Sequence, residues 1–296
     1  MTGWLVNDNL TCIGGTRTLW HYLLEGMLRL ENRCTGSFSG LAEAVEAESA
    51  VSPPDYIIRN AAYFRPMAVN CPQIAFVQDI LEGPLRDMLL DVCREARLTI
   101  FNSEFTRFMY PELATARNRV VPIGTDFDLF SPRAYDDAIP SDGVLYVGSS
   151  APVKGWDLVQ RLAAESTRPF VFVMKDDAAT PNEALTFRRI PQKLLARIAS
   201  SCAVGICTSR VETQHLAGIE MGACGLPLVT TNVGAYWNRP SGDWGEVATD
   251  WHAAIERAAG LSRSYAREYW LAERLGVPEC VAGFQLAVEG LFHAVR

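Results

Sequence analysis

The sequence predicts an α/β protein made of two parallel-sheet halves that face a central cleft. Short apolar runs of four or five residues alternate with amphipathic stretches of helical length. That alternation is the pattern of βα units rather than of a sandwich. It stops at residues 131–143, which are rich in Pro, Asp and Ser, and then begins again. A chain of 296 residues has room for two medium domains. Two such halves make a ligand-binding crevice the natural expectation, because open parallel sheets bind ligands beyond the carboxyl ends of their strands.

In the first half, residues 3–6 (GWLV), 55–59 (DYIIR), 74–78 (IAFVQ) and 98–102 (LTIFN) read as buried strands. A Gly14-Gly15 turn leads into a helix over 16–29, and further helices are predicted over 83–95 and 103–110. Residues 60–72 carry two prolines and read as a loop. The segment 131–143 is read as a linker. In the second half, 144–148, 170–174, 203–207 and 227–231 are strands. Helices are expected over 155–165, 192–201, 214–224, 252–259 and 279–295. The chain thus divides into 1–130, a linker at 131–143, a second domain over 144–275 and a final helical segment, 276–296.

The formal net charge is -7, which disfavours a surface made to grip nucleic acid throughout. Arg107, Arg117 and Arg119 leave room for a local basic patch, with scattered surface arginines as the plainer account. The opening MTGWLVNDNL has no basic region followed by an apolar core, so it does not read as a signal peptide. No stretch approaches a membrane span, and no basic amphipathic anchor is evident. The eight cysteines include no Cys-x-x-Cys pair. They are expected to be reduced and buried, which places the protein in the cytoplasm.

Three stretches carry candidate chemistry. In TSRVETQHLAGIEMGACGLPLV (208–229), Glu212 follows a strand and Glu220 lies eight residues on, within a helix. The first N–H groups of that helix lack intrahelical partners and form an anion site. Eight helical residues span roughly 12 Å, about the separation of the two sugars in a nucleotide diphosphate sugar. Carboxylates suit sugars because they accept bidentate hydrogen bonds from adjacent hydroxyls. The plainer alternative makes Glu212 a helix-end charge and Glu220 a solvated residue. Gly222, Ala223 and Gly225 weigh against it, because they predict close packing of that helix on the next strand. In YVGSSAPVKGWD (146–157), a strand ends at Gly148 and Lys154-Gly155 opens a helix. This brings backbone amides and one ammonium to a phosphate, although a loop lysine has no need of a ligand. Gly14 and Gly15 permit close backbone approach, or serve only as a turn. Asp176 and Asp177 follow a strand as a metal site requires, but read better as a solvated turn.

Taken in order, these residues resemble the family-four retaining glycosyltransferases of GT-B type. VNDNLTCIGGT is similar to that family's N-terminal glycine loop, and LTIFNSEFTRFM to its strand ending in Ser before a helix. VVPIGTDFDLFSP resembles its VIPNGVD segment, and VLYVGSSAPVKGWD its phosphate loop. SRVETQHLAGIEMGACGLPLVTT resembles its most specific block. The resemblance implies two Rossmann-like domains, with the last helix crossing back to the N-terminal, acceptor-side one. It implies retaining transfer of a sugar, a hexose by expectation, from a nucleotide diphosphate sugar to a hydroxyl acceptor, with no metal and no cofactor. The reaction would run by front-face attack, with the leaving diphosphate accepting the acceptor's proton. Glu212 would contact the donor sugar and Glu220 the ribose. Lys154, with the amides near Gly148 and Ser149 and those of His215, Leu216 and Ala217, would hold the diphosphate. Gly14 and Gly15 would border the donor, and Asp79, in Gln78-Asp79, stands where the family carries His-Asp. Ser149 replaces a frequent arginine, and Gln214-His215 a Phe-Gly. The alternatives are a nucleotide-sugar-binding protein without transfer activity, an epimerase of the same shape, or a metal-dependent GT-A enzyme. The acceptor stays open among small molecules, glycans, proteins and modified nucleic-acid bases.

Overall fold

The computed structural model describes residues 1–6, 15–33, 40–62, 65–114, 117–181 and 184–293. The chain forms two compact units, Met1–Gly124 with Val277–Arg296, and Thr125–Gly276. The first unit runs β1 (Gly3–Val6), α1 (Gly15–Gly26), β2 (Leu30–Arg33), α2 (Leu41–Val51), β3 (Tyr56–Asn60), β4 (Gln73–Val77), α3 (Gly83–Glu95), β5 (Leu98–Phe101), α4 (Glu104–Phe108) and β6 (Asn118–Val120). Its six strands are parallel in the order β2-β1-β3-β4-β5-β6. The inner strands are largely apolar because both faces of a parallel sheet are covered, although β3 ends in the buried Arg59 and Asn60. Every residue of β1 and β3 is buried.

The second unit runs β7 (Val144–Gly148), α5 (Trp156–Glu165), β8 (Phe170–Met174), β9 (Leu185–Arg188), α6 (Gln192–Ser201), β10 (Val204–Cys207), α7 (Leu216–Ala223), β11 (Leu228–Thr230), β12 (Gly245–Val247), α8 (Trp251–Ala259) and α9 (Arg263–Ala272). Its six strands are again parallel, in the order β12-β11-β10-β7-β8-β9. One core layer packs Tyr146, Phe170 and Phe172 with α5 and α8. The other gathers Leu145, Val171, Ile219, Trp244 and Trp270.

The last helix, α10 (Val277–His293), belongs to the first unit. Phe284 is fully buried, and its ring lies 5.5 Å from that of Phe76 on β4. A side chain at Gly26 would meet Val281 at 2.8 Å, and one at Gly283 would meet Val121 at 2.6 Å. Both glycines let α10 lie close to its neighbours.

The segment 131–143 is not a linker. The second unit already begins at Thr125, whose N–H donates to Leu275 O at 2.8 Å. Ser200 and Ser201, at the end of α6, accept from the N–H groups of Arg133 and Asp136 at 2.9 and 3.0 Å. Ile139 is buried in the core. Two serines and one isoleucine thus fix a stretch whose composition resembles a flexible tether.

The described cysteines 71, 93, 202, 207, 224 and 280 are free thiols, all buried except the half-buried Cys71. Cys12 and Cys34 lie outside the described residues. Among the described residues no helix is long and apolar enough to cross a membrane.

Phe284→Ala should destabilise the first unit by about 3–5 kcal/mol, the cost of a large buried ring. A fall in the urea midpoint followed by circular dichroism checks this. An unchanged midpoint would mean that α10 is not part of that core.

Candidate functional site

Strand order places the site. From β7 the chain moves to β8 and β9 on one side, then returns to β10 on the other. The carboxyl ends of β7 and β10 therefore lie at a switch point, where loops part and leave a crevice. The loops that emerge there are 149–155 and 208–215, which hold Lys154 and Glu212.

Hydrogen bonds latch these loops together. Thr208 Oγ1 donates to Lys154 O at 2.8 Å, and the Arg210 N–H to Val153 O at 2.8 Å. The Arg210 guanidinium spans to Asp157 with contacts of 2.7 and 2.8 Å. Gly155 has φ 68°, and a Cβ there would lie 2.2 Å from Thr208 O. Only glycine allows this approach.

The latch delivers the Lys154 ammonium to Glu212 Oε1 as an ion pair. Ser209 Oγ donates to the same oxygen at 2.9 Å. The His215 ring follows, its Nε2 at 3.8 Å. The Glu212 side chain is only 12% exposed. Burial alone would raise its pKa. The His215 and Lys154 charges, and hydrogen bonds from Lys154 and Ser209, outweigh burial and hold the carboxyl below its ordinary value. Burial lowers His215 in turn. Its Nδ1 accepts from the Gly218 N–H at 3.1 Å, which assigns the remaining proton of a neutral ring to Nε2, facing Glu212.

His215 is the N-cap of α7, with φ 66° in the left-handed region. The helix therefore begins two residues later than the sequence predicts, at Leu216. The N–H groups of Leu216 and Ala217 have no hydrogen-bond partner among the described residues. They form the open, positive end of the helix. Gly218 and Gly222 set its position. A Cβ at Gly218 would sit 1.6 Å from Tyr236 Oη, and one at Gly222 would sit 2.2 Å from Trp270 Nε1. The small residues thus pack α7 against Tyr236 and α9, rather than only against the following strand as the sequence predicts. Gly225, with φ 81°, ends the helix.

Glu220 projects from the second turn of α7. Its carboxyl is half-buried and has no hydrogen-bond partner among the described residues. Burial pushes its pKa up to about 7, and the charge of Lys175 offsets part of that rise.

The structure gathers Gly148, Ser149, Lys154, Glu212, His215, Leu216, Ala217 and Glu220 on the second unit. Asp79 and Gly15 belong to the first unit, where Asp79 O accepts from Tyr110 Oη at 2.8 Å. Gly14 lies outside the described residues. Asp176 is not a solvated turn. Its Oδ2 accepts from Ser150 N at 2.7 Å and lies 3.1 Å from Ser150 Oγ, while Asp177 pairs with Arg189 at 2.7 Å. Among the described residues no three His, Cys, Asp or Glu side chains come together as a metal site requires. Arg107 pairs with Glu104, whereas Arg117 and Arg119 line a hollow with Arg97. Sequence reasoning missed Thr208, Ser209, Lys175 and Tyr236. Thr208 and Lys175 each come directly after a strand, which a comparison of strand ends would have flagged. Tyr236 gave no signal.

No family model matches the chain. A D-inositol 3-phosphate glycosyltransferase of Acidothermus cellulolyticus is 28% identical over 179 residues, 50% of this chain and 40% of that protein. The chain thus spans less than half the length of this curated relative. The sucrose-phosphate synthase of Thermosynechococcus elongatus superposes with a TM-score of 0.80 at 17% identity, covering 99% of this chain and 100% of that one. Anabaena HepE, in complex with UDP-glucose, superposes with a TM-score of 0.72 at 14% identity, covering 98% and 100%. The fold is that of the GT-B glycosyltransferases, with two Rossmann-like units. It excludes the GT-A alternative.

Two expectations follow for α7. Gly218→Ala should destabilise by about 1–3 kcal/mol through overpacking, and adding Tyr236→Phe should recover part of the loss by removing the clashing hydroxyl. Thermal melts of the single and double variants check this, and a Gly218→Ala protein as stable as wild type would contradict it. The second expectation concerns pH. The folded protein holds the Glu220 proton to higher pH than the unfolded chain. The resulting stabilisation is complete below the ordinary value of 4.5 and is lost as pH rises through about 7. Between about pH 5 and pH 8, the Tm of Glu220→Gln should therefore gain on that of wild type. Parallel pH profiles would contradict this.

Proposed function

We propose that the protein is a retaining glycosyltransferase that moves a hexose from a nucleotide diphosphate sugar to a hydroxyl acceptor, without a metal ion. The observation that carries this reading is the Lys154–Glu212 pair at the switch point, beside the free amides of Leu216 and Ala217. Together they offer a cation and a helix N-terminus to the diphosphate, and a carboxylate to a sugar. Glu220, one turn on and with no hydrogen-bond partner among the described residues, is suited to accept from ribose hydroxyls. HepE holds UDP-glucose on the same fold, which makes UDP-glucose the first donor to test. The relative named for D-inositol 3-phosphate makes that compound the first acceptor.

In this mechanism Glu212 orients the transferred sugar, so its charge is exchanged between Lys154 and sugar hydroxyls when donor binds. Lys154 and the α7 amides then stabilise the charge that develops on the departing diphosphate. That diphosphate takes the acceptor's proton as attack occurs on the same face. The positive charge the step requires comes from the chain itself, which is why the reading includes no metal. We place the reaction in the cytoplasm, in keeping with the buried free thiols.

The test is transfer and binding with two substitutions, run in excess EDTA. At pH 8, above the value of about 7 to which burial pushes Glu220, Glu220→Gln should weaken nucleoside diphosphate binding roughly ten- to a hundredfold, the worth of hydrogen bonds to a charged group. Glu212→Gln should bind the diphosphate at least as well as wild type, because Lys154 is released, but should lose most of its turnover. Equal loss of diphosphate affinity in both, or full turnover in both, would refute this division of roles. Activity abolished by EDTA and restored by manganese would refute the metal-free reading. An epimerised sugar formed from donor alone would replace transfer with epimerisation.

A further inference from the structure

The carboxyl edge of the second unit holds a cation that the site described above leaves unused. Lys175 is the first residue after β8, and β8 pairs with β7 so that Met174 lies opposite Gly148. The Lys175 N–H donates to Gly148 O at 2.9 Å. The chain therefore leaves the sheet at Lys175 directly beside Ser149, on the phosphate-loop side of the switch point. Its side chain is exposed and has no hydrogen-bond or ion-pair partner among the described residues.

Its neighbours at this edge are engaged. Lys154 is held by Glu212, Arg189 by Asp177 and Arg210 by Asp157. Arg188 donates to the carbonyls of Asp176 and Ala178 at 2.6 and 2.8 Å. The charge of Lys175 reaches both His215 at the head of α7 and Glu220 in its second turn, lowering the pKa of each. By register Lys175 stands at the carboxyl end of β8, next to β7 and one strand further from β10, whose loop leads into α7.

Leu216 and Glu220 are four residues apart, about 6 Å along a helix. That is close to the span from a ribose to the second phosphate. With its ribose at Glu220 and its outer phosphate at Lys154 and the Leu216 and Ala217 amides, a nucleoside diphosphate has its inner phosphate between them, on the side where Lys175 emerges. We propose that Lys175 binds the ribose-side phosphate of the nucleotide, so that two cations from neighbouring strands divide the diphosphate, Lys175 the inner group and Lys154 the outer. This rests on the donor-site reading above and adds to it a residue, a phosphate and an order. The inner cation has no hydrogen-bond or ion-pair partner among the described residues, whereas the outer one must first leave Glu212.

Calorimetric titration of wild type, Lys175→Met and Lys154→Met with uridine, UMP and UDP tests it. Where wild type prefers another base, the same series is used with that base. Lys175→Met should weaken the monophosphate and the diphosphate alike, roughly ten- to a hundredfold, and leave the nucleoside unchanged. Its diphosphate affinity should also vary less steeply with salt. Lys154→Met should weaken only the diphosphate. Wild-type monophosphate affinity in Lys175→Met, or an equal loss for the nucleoside, would overturn the assignment while wild-type diphosphate binding stood. Failure of wild type to bind UDP, GDP or ADP would overturn the donor-site reading, and this proposal with it. Lys175 is exposed, so thermal melts of Lys175→Met should match wild type and tie the effect to binding.

Discussion

Glu212, in the loop that follows β10, is a carboxylate with 12% of its side chain exposed. A charge so placed must be satisfied, and the second unit is arranged around that requirement. Ser209 supplies one hydrogen bond from the same loop. The cation comes from the neighbouring strand's loop, 58 residues earlier. Bringing it there needs the left-handed Gly155, the Thr208 hydroxyl on Lys154 O and the Arg210 N–H on Val153 O. Breaking a fully buried pair costs about 3–5 kcal/mol. Here Lys154 is 32% exposed, so the pair is weaker and a polyanionic ligand can compete for it. Under the proposed function, the Lys154–Glu212 pair satisfies both charges until the donor takes them over, so that neither is left bare.

The same site depends on aromatic packing behind α7. Tyr236 stacks on Trp244 with centroids 5.6 Å apart, and Trp270 meets both rings edge-on at 6.1 and 6.2 Å. All three side chains are fully buried. Gly218 and Gly222 let the helix settle onto this cluster. His215, capping the helix, reaches Tyr236 Oη at 3.2 Å. The direction of the Leu216 and Ala217 amides is therefore set by fully buried core residues. The site is preorganised by packing as much as by charge.

The sequence made the inner strands legible because each is a continuous apolar run between turn signals, as GWLV, VLYVG and FVFVM are. It concealed the edges. LENR, NRV, LTFR and GEV become β2, β6, β9 and β12, strands that pair on one side only and carry no such run. Helices α2 and α9 also escaped: α2 is built largely of Ala and Glu without a marked apolar stripe, and α9 buries only Ala266 and Trp270 among many polar residues. Lys154 and Glu212 stood out as charges in loops that follow strands, and Glu220 as a carboxylate on a helix rich in small residues. Their pairing was not legible: Lys154 and Glu212 meet through strand order, which places β10 beside β7, and no spacing in the chain states that. Lys175 was hidden for the same reason: it precedes the Asp176-Asp177 pair in the chain, and only the register sets it beside Gly148.

The central claim is that the open end of α7, with Lys154, receives a diphosphate. The most direct measurement is the backbone amide NMR signals of Leu216 and Ala217 as UDP, or the diphosphate that wild type prefers, is titrated into the protein. Both should shift saturably, with a common dissociation constant that matches calorimetry, and the shifts should shrink in Lys154→Met. Saturable binding that leaves both amides unmoved would contradict the account.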